Sequence, residues 1–335
     1  MSIEYKILGK PGRDNALFVW LNCGTKMYRI LFDCGENIFY GLKQSDVRSI
    51  DYLFFSHLHV DHAAGFDYYF RRNFDRQKPN FIFGPADTIE ILHNRLRGFK
   101  WNLIDESDGE FIITEIESNK NNSARFLTSE SFAIKHLSSA EITNNGILQN
   151  DDFTIKAALL NHQIKSAAYL LKENDSLNIS KEALLQSGLT PGNWLESVRN
   201  METDDEAEIK VDDANYKIGE LRKSLLIKSK GESISYLTDF IMDDKSKNSA
   251  VELVKDCDIM ICESQYHSTD IELAKRNFHL TSKQAAELAR EAGVKKLYLF
   301  HISERYTSNG TYYRLLDEAR NIFPETYFPE HWVER

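Results

Sequence analysis

Phe54-Phe55-Ser56-His57-Leu58-His59-Val60-Asp61-His62 decides how the rest of the chain reads. Three histidines and an aspartate fall within six residues, directly after Tyr52-Leu53-Phe54-Phe55, a short β-prone apolar run that reads as a buried strand. His57 and His59 stand two apart, so an extended or tightly turning backbone lets both imidazoles face one metal ion. Asp61 and His62, on the next bend, reach a second ion beside it. Imidazole and carboxylate are the ligand types that hold zinc or a similar divalent ion in an open, catalytic geometry. A lone histidine after a strand needs no ligand to explain it. Several protonatable rings packed at one strand end without a partner are costly, which favours the metal.

This His-x-His-x-Asp-His cluster resembles the signature of the metallo-β-lactamase superfamily. The resemblance implies an α/β fold of the αββα metallo-β-lactamase type, two mixed sheets flanked by helices, with one or two metals at its edge. Later runs repeat the pattern of a strand ending in a ligand-type residue. The run 153–160 leads to His162, 233–238 to Asp239, 258–262 to Glu263 and 296–300 to His301. In a layered α/β domain, residues at corresponding strand ends converge on one sheet edge. The assignment puts His57, His59 and His162 on one ion and Asp61, His62 and His301 on the other, with Asp239 bridging. The cofactors expected are two divalent ions, zinc first, with manganese or iron(II) as alternatives. Ions about 3.5–4 Å apart lower the pKa of a shared water from ~15.7 toward 7, and the hydroxide attacks a phosphoryl or acyl centre in line. Asp61 both binds metal and orients that hydroxide.

The chain has 335 residues, 42% of them apolar and 12% aromatic, enough for one large domain with a sizeable core or two smaller ones. We expect a single domain over 1–335, with 171–230 as an insertion or arm-like region inside it. Lysine and arginine total 41 against 51 acids, a net charge of -10, which argues against nonspecific coating of nucleic acid. There is no apolar run of signal-peptide or membrane-helix length, so a cytoplasmic protein without a membrane partner is the expectation. The cysteines, Cys23, Cys34, Cys257 and Cys262, form no Cys-x-x-Cys pair and read as reduced, buried small residues.

Other segments have plainer readings. Asp33-Cys34-Gly35-Glu36 fits a sharp turn into a helix-like segment 38–43. Helices are expected over 65–74, 86–96 and 281–293, the last with a cap and a glycine stop. His93 and His136 read as packing or surface residues, and Asn- and Ser-rich turns are expected at 118–123 and 143–146. Seven acids lie between 202 and 213 against one base, Lys210, and read as a solvated loop. Arg71, Arg72, Arg76, Lys78, Arg95, Arg97 and Lys100 border a phosphate-binding face or are ordinary exposed positions.

Late motifs narrow the resemblance to ribonuclease Z, the tRNA 3′ endonuclease branch of the superfamily. His279 and Thr281, then Gln284-Ala285-Ala286, then His301-Ile302-Ser303-Glu304-Arg305-Tyr306 match that branch's closing blocks, and Phe32–Glu36 and 160–169 resemble earlier ones. The family implies that His279 gives the proton to the leaving group, a role suited to histidine near neutral pH. It also gives Glu263 an orienting place beside a catalytic or ligand histidine. Two departures stand out. Cys262-Glu263-Ser264-Gln265 replaces His-Glu-Ala-Thr, and the region after His162, where the family extends a basic tRNA-gripping arm, is acidic here. The leading expectation is a zinc-dependent phosphodiesterase cutting precursor tRNA near its 3′ end. The alternative is a hydrolase of a small phosphodiester or other small molecule, and a metal-binding interaction module is the reading of another class. The oligomeric state is open, with a homodimer as one assembly.

Overall fold

The computed structural model describes residues 2–23, 26–102, 104, 109–117, 120–141 and 146–333. Strands Ser2–Gly9, Asn15–Asn22 and Met27–Phe32 form the antiparallel meander that their short spacing predicts. Tyr52–Phe54, Asn80–Gly84 and Glu110–Ile116 then add in parallel, each reached through a helix, and Lys120–Leu127 and His136–Glu141 complete the sheet antiparallel. The second sheet runs in the order Thr326–Tyr327, Lys296–Phe300, Ile259–Glu263, Ser233–Leu237, Ile164–Glu173, Phe153–His162 and Gly146–Gln149. Its first four strands are parallel to one another, and Ser233–Leu237 is antiparallel to Ile164–Glu173. Both sheets are therefore mixed.

Alternation along the strands explains the layering. Leu17, Val19 and Leu21 point into a core shared with Tyr169, Tyr236 and Leu237 of the second sheet, whereas Ala16 and Phe18 point to the opposite face, where Phe66 and Phe70 of the helix Phe66–Asn73 cover them. Phe32 and Phe54 stack at 5.3 Å and meet Tyr169 at 5.5 and 5.2 Å. On the far side of the second sheet, Ala250, Leu253, Ala285, Leu288 and Leu315 supply the helical cover. The layers are helix, sheet, sheet, helix.

The chain divides into two compact units, 1–172 with 232–335, and 173–231. The second has its own small core of Trp194, Val198, Val211, Leu221 and Leu225. Here the expected acidic loop is partly ordered structure. Glu208–Val211 and Ala214–Lys217 pair as a hairpin across Asp212-Asp213, and the buried Arg222 pairs with Asp205 and donates to the Val198 carbonyl at 3.0 Å. The helix-like segment 38–43 also differs: a 3-10 turn, Ile38–Gly41, ends at the extended Leu42, and a separate helix Gln44–Arg48 follows. Of the two polar turns, 118–119 and 142–145 lie outside the described residues, and Lys120 and Gly146 already belong to strands. Among the described residues no helix is long and apolar enough to cross a membrane.

Candidate metal centre

The site is assembled from strand ends. Backbone leaving Tyr52–Phe54 delivers His57, and the short helix Val60–Ala63, with His59 at its N-cap, carries Asp61 and His62. His162 closes its strand and Glu263 closes Ile259–Glu263. Asp239 and His301 stand just beyond Ser233–Leu237 and Lys296–Phe300. Parallel register pairs Leu237 with Cys262 and Glu263 with Phe300, so Asp239, Glu263 and His301 emerge side by side. His279 precedes the helix Ser282–Ala292, whose Thr281 and Gln284 form a reciprocal capping box and whose Gly293 stops it at φ 69°.

Ligand-type atoms of His57, His59, His162 and Asp239 lie within 4.8 Å of one another, and so do those of Asp61, His62, Asp239 and His301. Asp239 belongs to both groups. Its Oδ2 is 3.7 Å from His57 Nε2, 3.4 Å from His62 Nε2 and 3.5 Å from His162 Nε2, and its Oδ1 is 3.3 Å from His301 Nδ1. Asp61 Oδ2 lies 3.5 Å from His62 Nε2 and 3.7 Å from His301 Nε2. Asp239, Glu263, His279 and His301 make a third, overlapping group. Every residue expected at the site is thus brought to one edge.

Hydrogen bonds behind the cluster fix which nitrogen faces it. His162 Nδ1 donates to the Phe278 carbonyl at 2.8 Å and His62 Nδ1 to the Asp33 carboxylate at 2.8 Å. Ser56 Oγ donates to Asp33 at 2.8 Å and so accepts from His57 Nδ1 at 3.1 Å. Carbonyl and carboxylate only accept, so Nδ1 carries the proton in each ring and the neutral form of each presents its Nε2 lone pair to the cluster. The buried atoms His57 Nε2, His62 Nε2 and His301 Nδ1 have no hydrogen-bond partner among the described residues. Such orphans are expensive unless something else takes them. A divalent cation fits this donor set of ring nitrogens and carboxylates.

Electrostatics point the same way. Burial, with the His62 ring nearby, holds His57 neutral, down at about 2. Burial opposes charge on His62, but Asp239 and Asp33 outweigh it and hold that ring well above the usual range. Burial likewise opposes ionisation of Asp239, but His301 and His62 keep its carboxyl far below the ordinary value. A buried cluster of this kind needs positive charge, whether from protons or from a cation. Burial also works against a charged His279, but the Glu263 carboxylate, 2.9 Å from its Nδ1, pushes it up to about 9. The other Glu263 oxygen accepts from the Phe240 N–H at 2.9 Å.

The backbone is bent to make the edge. Asp33, Gln163, Asp239, Phe278 and His301 are all non-glycine residues with φ between 50° and 62°. Each costs on the order of 1–3 kcal/mol and persists only where surroundings hold it, as at functional sites. For His301 the restraint is Asn15, whose Oδ1 accepts from the His301 N–H at 3.1 Å while its Nδ2 donates to the Leu8 carbonyl at 3.2 Å. Asp33, Asn15 and Tyr236, whose hydroxyl donates to Asp33 at 2.9 Å, are site residues that sequence reading does not single out. Asp33 ends an apolar strand just as Asp239 follows one, and that is the signal that could have marked it.

The remaining candidates lie elsewhere. His93 is buried, stacks on Phe126 and bonds the Phe132 carbonyl at 2.9 Å, and His136 pairs with Glu130. Arg76 is buried and donates to the carbonyls of Ile50 and Pro79, Lys78 pairs with Asp51, and Arg95 pairs with Asp67. Those three cations are structural rather than a free phosphate-binding face.

Comparison with known proteins places this geometry. Residues 14–182 match the family model described as anti-Pycsar protein Apyc1, and 196–302 match the β-lactamase superfamily domain. A ribonuclease Z of Deinococcus radiodurans is 35% identical over 328 residues, 98% of each chain. One from Enterococcus faecalis is 30% identical over 88% of this chain and 83% of its own. Among solved structures, the metallo-β-lactamase fold protein YhfI of Bacillus subtilis aligns over 98% of this chain and 96% of its own, with a TM-score of 0.57 at 15% identity. The short form of human tRNase Z, ELAC1, aligns over 99% and 98%, with a TM-score of 0.52 at 17% identity. These two likenesses establish the αββα metallo-β-lactamase fold.

Proposed function

The chain belongs to the ribonuclease Z family of the metallo-β-lactamase superfamily and is a metal-dependent hydrolase, and from that premise we propose that it is a zinc-dependent endonuclease cleaving precursor tRNA near the 3′ end, in the cytoplasm. The observation that carries this reading is the meeting of two ligand groups on Asp239, with buried ring nitrogens left without hydrogen bonds. His57, His59 and His162 would hold one ion, Asp61, His62 and His301 the other, and Asp239 both. When bound, such a pair activates water as nucleophile and neutralises charge on phosphoryl oxygens.

The chain's own residues do the rest. Asp61, with its side chain 43% exposed, is the ligand-type carboxylate open to solvent and can hold the attacking water by a hydrogen bond. The attacking water releases a proton to solvent, its oxygen adds to phosphorus as the bond to the leaving alkoxide oxygen breaks, and His279 gives that leaving oxygen a proton. Glu263 is fully buried and touches no substrate; it positions His279 and keeps it charged. Phe278, left-handed at φ 59°, turns the chain so that its carbonyl holds His162 while the next residue faces the cluster.

A second reading, hydrolysis of a small phosphodiester, is favoured by the acidic 173–231 unit, since negative charge repels an RNA backbone. Purified protein with zinc, offered precursor tRNA and a small phosphodiester in parallel, separates the two. Cleavage of the precursor, lost in His62→Ala and on chelation, supports the ribonuclease. Turnover of the small ester with intact precursor overturns it.

A further inference from the structure

The helix Phe66–Asn73 follows directly on the ligand-bearing turn and forms one wall of a groove of about 950 Å³. Tyr68, Arg71, Arg72, Phe74, Phe99 and Trp101 line it. On the wall is a finished stack. Phe39 lies parallel to Tyr68 at 5.0 Å, and the Arg72 guanidinium sits 3.3 Å over the other face of Tyr68, tethered by its Nη1 donating to the Tyr68 carbonyl at 3.3 Å.

Neither Arg71 nor Arg72 has a carboxylate partner among the described residues, and the acid in the groove, Asp67, is taken by Arg95 at 2.7 Å. Phe99 is 46% exposed, beside the exposed Arg97 and Lys100. In a chain of net charge -10, this is a local concentration of cations interleaved with rings and without a carboxylate partner among the described residues. Planar cation, aromatic faces and free positive charge together are the chemistry that binds unpaired nucleotides, bases by stacking and phosphates by charge. A paired acceptor stem offers no exposed base faces, so the complementary part of the substrate is its single-stranded extension.

We propose that this groove is a subsite for the unpaired 3′ trailer of the RNA, a base continuing the Phe39–Tyr68–Arg72 stack and another resting on Phe99. The proposal rests on the ribonuclease reading. Its test is the KM for precursors sharing one tRNA body with a trailer of one or of about ten nucleotides, measured for wild type, Arg72→Ala, Arg72→Lys and Phe99→Ala. Wild type should favour the longer trailer. Arg72→Ala and Phe99→Ala should each raise its KM about tenfold and abolish that preference, with the change in KM rather than kcat. Arg72→Lys, which keeps charge and loses the plane, should recover only part. Equal KM values for the two trailers in wild type, or variants that retain its preference, overturn the subsite alone. A wild type that cleaves no precursor overturns the ribonuclease reading and the subsite with it.

Discussion

Asp33 accepts a hydrogen bond from Nδ1 of His62 at 2.8 Å while also taking the Ser56 N–H, the Ser56 hydroxyl and the Tyr236 hydroxyl, all at 2.7–2.9 Å. One buried carboxylate thereby sets the His62 tautomer and, through Ser56, that of His57. Asp33→Ala strands these buried donors, at about 1–3 kcal/mol for each left unsatisfied, and should lower the unfolding midpoint. Asp33→Asn keeps the volume but can no longer accept everywhere. It should fold and lose metal affinity by roughly 10–100-fold, the usual effect of removing an outer partner of a ligand histidine. Competition with a zinc chelator, alongside a urea melt, checks both; unchanged zinc affinity in Asp33→Asn would exclude the orienting role.

Asn15 reaches His301 across 286 residues of sequence, so the opening turn of the first sheet restrains the last ligand. Asn15→Ala removes the acceptor that fixes a left-handed histidine. The expected result is loss of one of two bound ions and a fall in kcat of about tenfold or more, with the fold retained. Metal content by mass spectrometry of native protein, with kcat on the same sample, measures it. Two tightly held ions in Asn15→Ala would contradict it.

What the sequence makes legible follows from the range of the physics involved. His57, His162 and His301 can be found because each sits at the end of an apolar run, a local pattern, and Asp239 and Glu263 join them once parallel strands are assumed. Asp33 occupies the same kind of place, but an acid before glycine is explained equally by a turn, so local pattern cannot separate the two. Asn15 is invisible for a different reason: its partner is a backbone N–H far along the chain. The hairpin Glu208–Lys217 hides in its acids because a two-stranded ribbon shows no clean apolar alternation. Its order comes from Arg222 and the small core around Trp194.

Asp258 offers a pH test away from the metal centre. Its Oδ2 accepts from the Ser233 N–H at 2.9 Å and hydroxyl at 2.7 Å, and its Oδ1 pairs with Lys295 at 2.5 Å. Burial opposes its ionisation, but Lys295 and Ser233 outweigh that and hold the carboxyl below its ordinary 3.8. A depressed folded pKa means stability that is full above 3.8 and lost as pH falls through the folded value. Asp258→Asn should therefore be less stable than wild type by on the order of 1–2 kcal/mol at pH 7, and the gap should narrow below about pH 4. Urea melts across that range decide it, and a gap that stays constant into acid would show that the charge contributes nothing.

His279 stands 2.9 Å from Glu263 and its ring centroid 5.6 Å from that of His301, close enough to the cluster to serve a departing oxygen. If its task is to give that oxygen a proton, its importance must depend on how badly the leaving group needs one. A ribose alkoxide needs it; a nitrophenolate leaves well without. His279→Ala should lower kcat on RNA by about 10²–10⁴-fold and hardly affect bis(p-nitrophenyl) phosphate, with metal content unchanged. Glu263→Gln keeps a hydrogen-bonding group beside the ring but withdraws the charge that favours its protonated form. Its loss on RNA should be smaller than that of His279→Ala, and it too should leave the aryl ester nearly untouched. Equal losses on both substrates would mean that His279 supports the metal site instead, and the proton donor would then have to be sought elsewhere along the same edge.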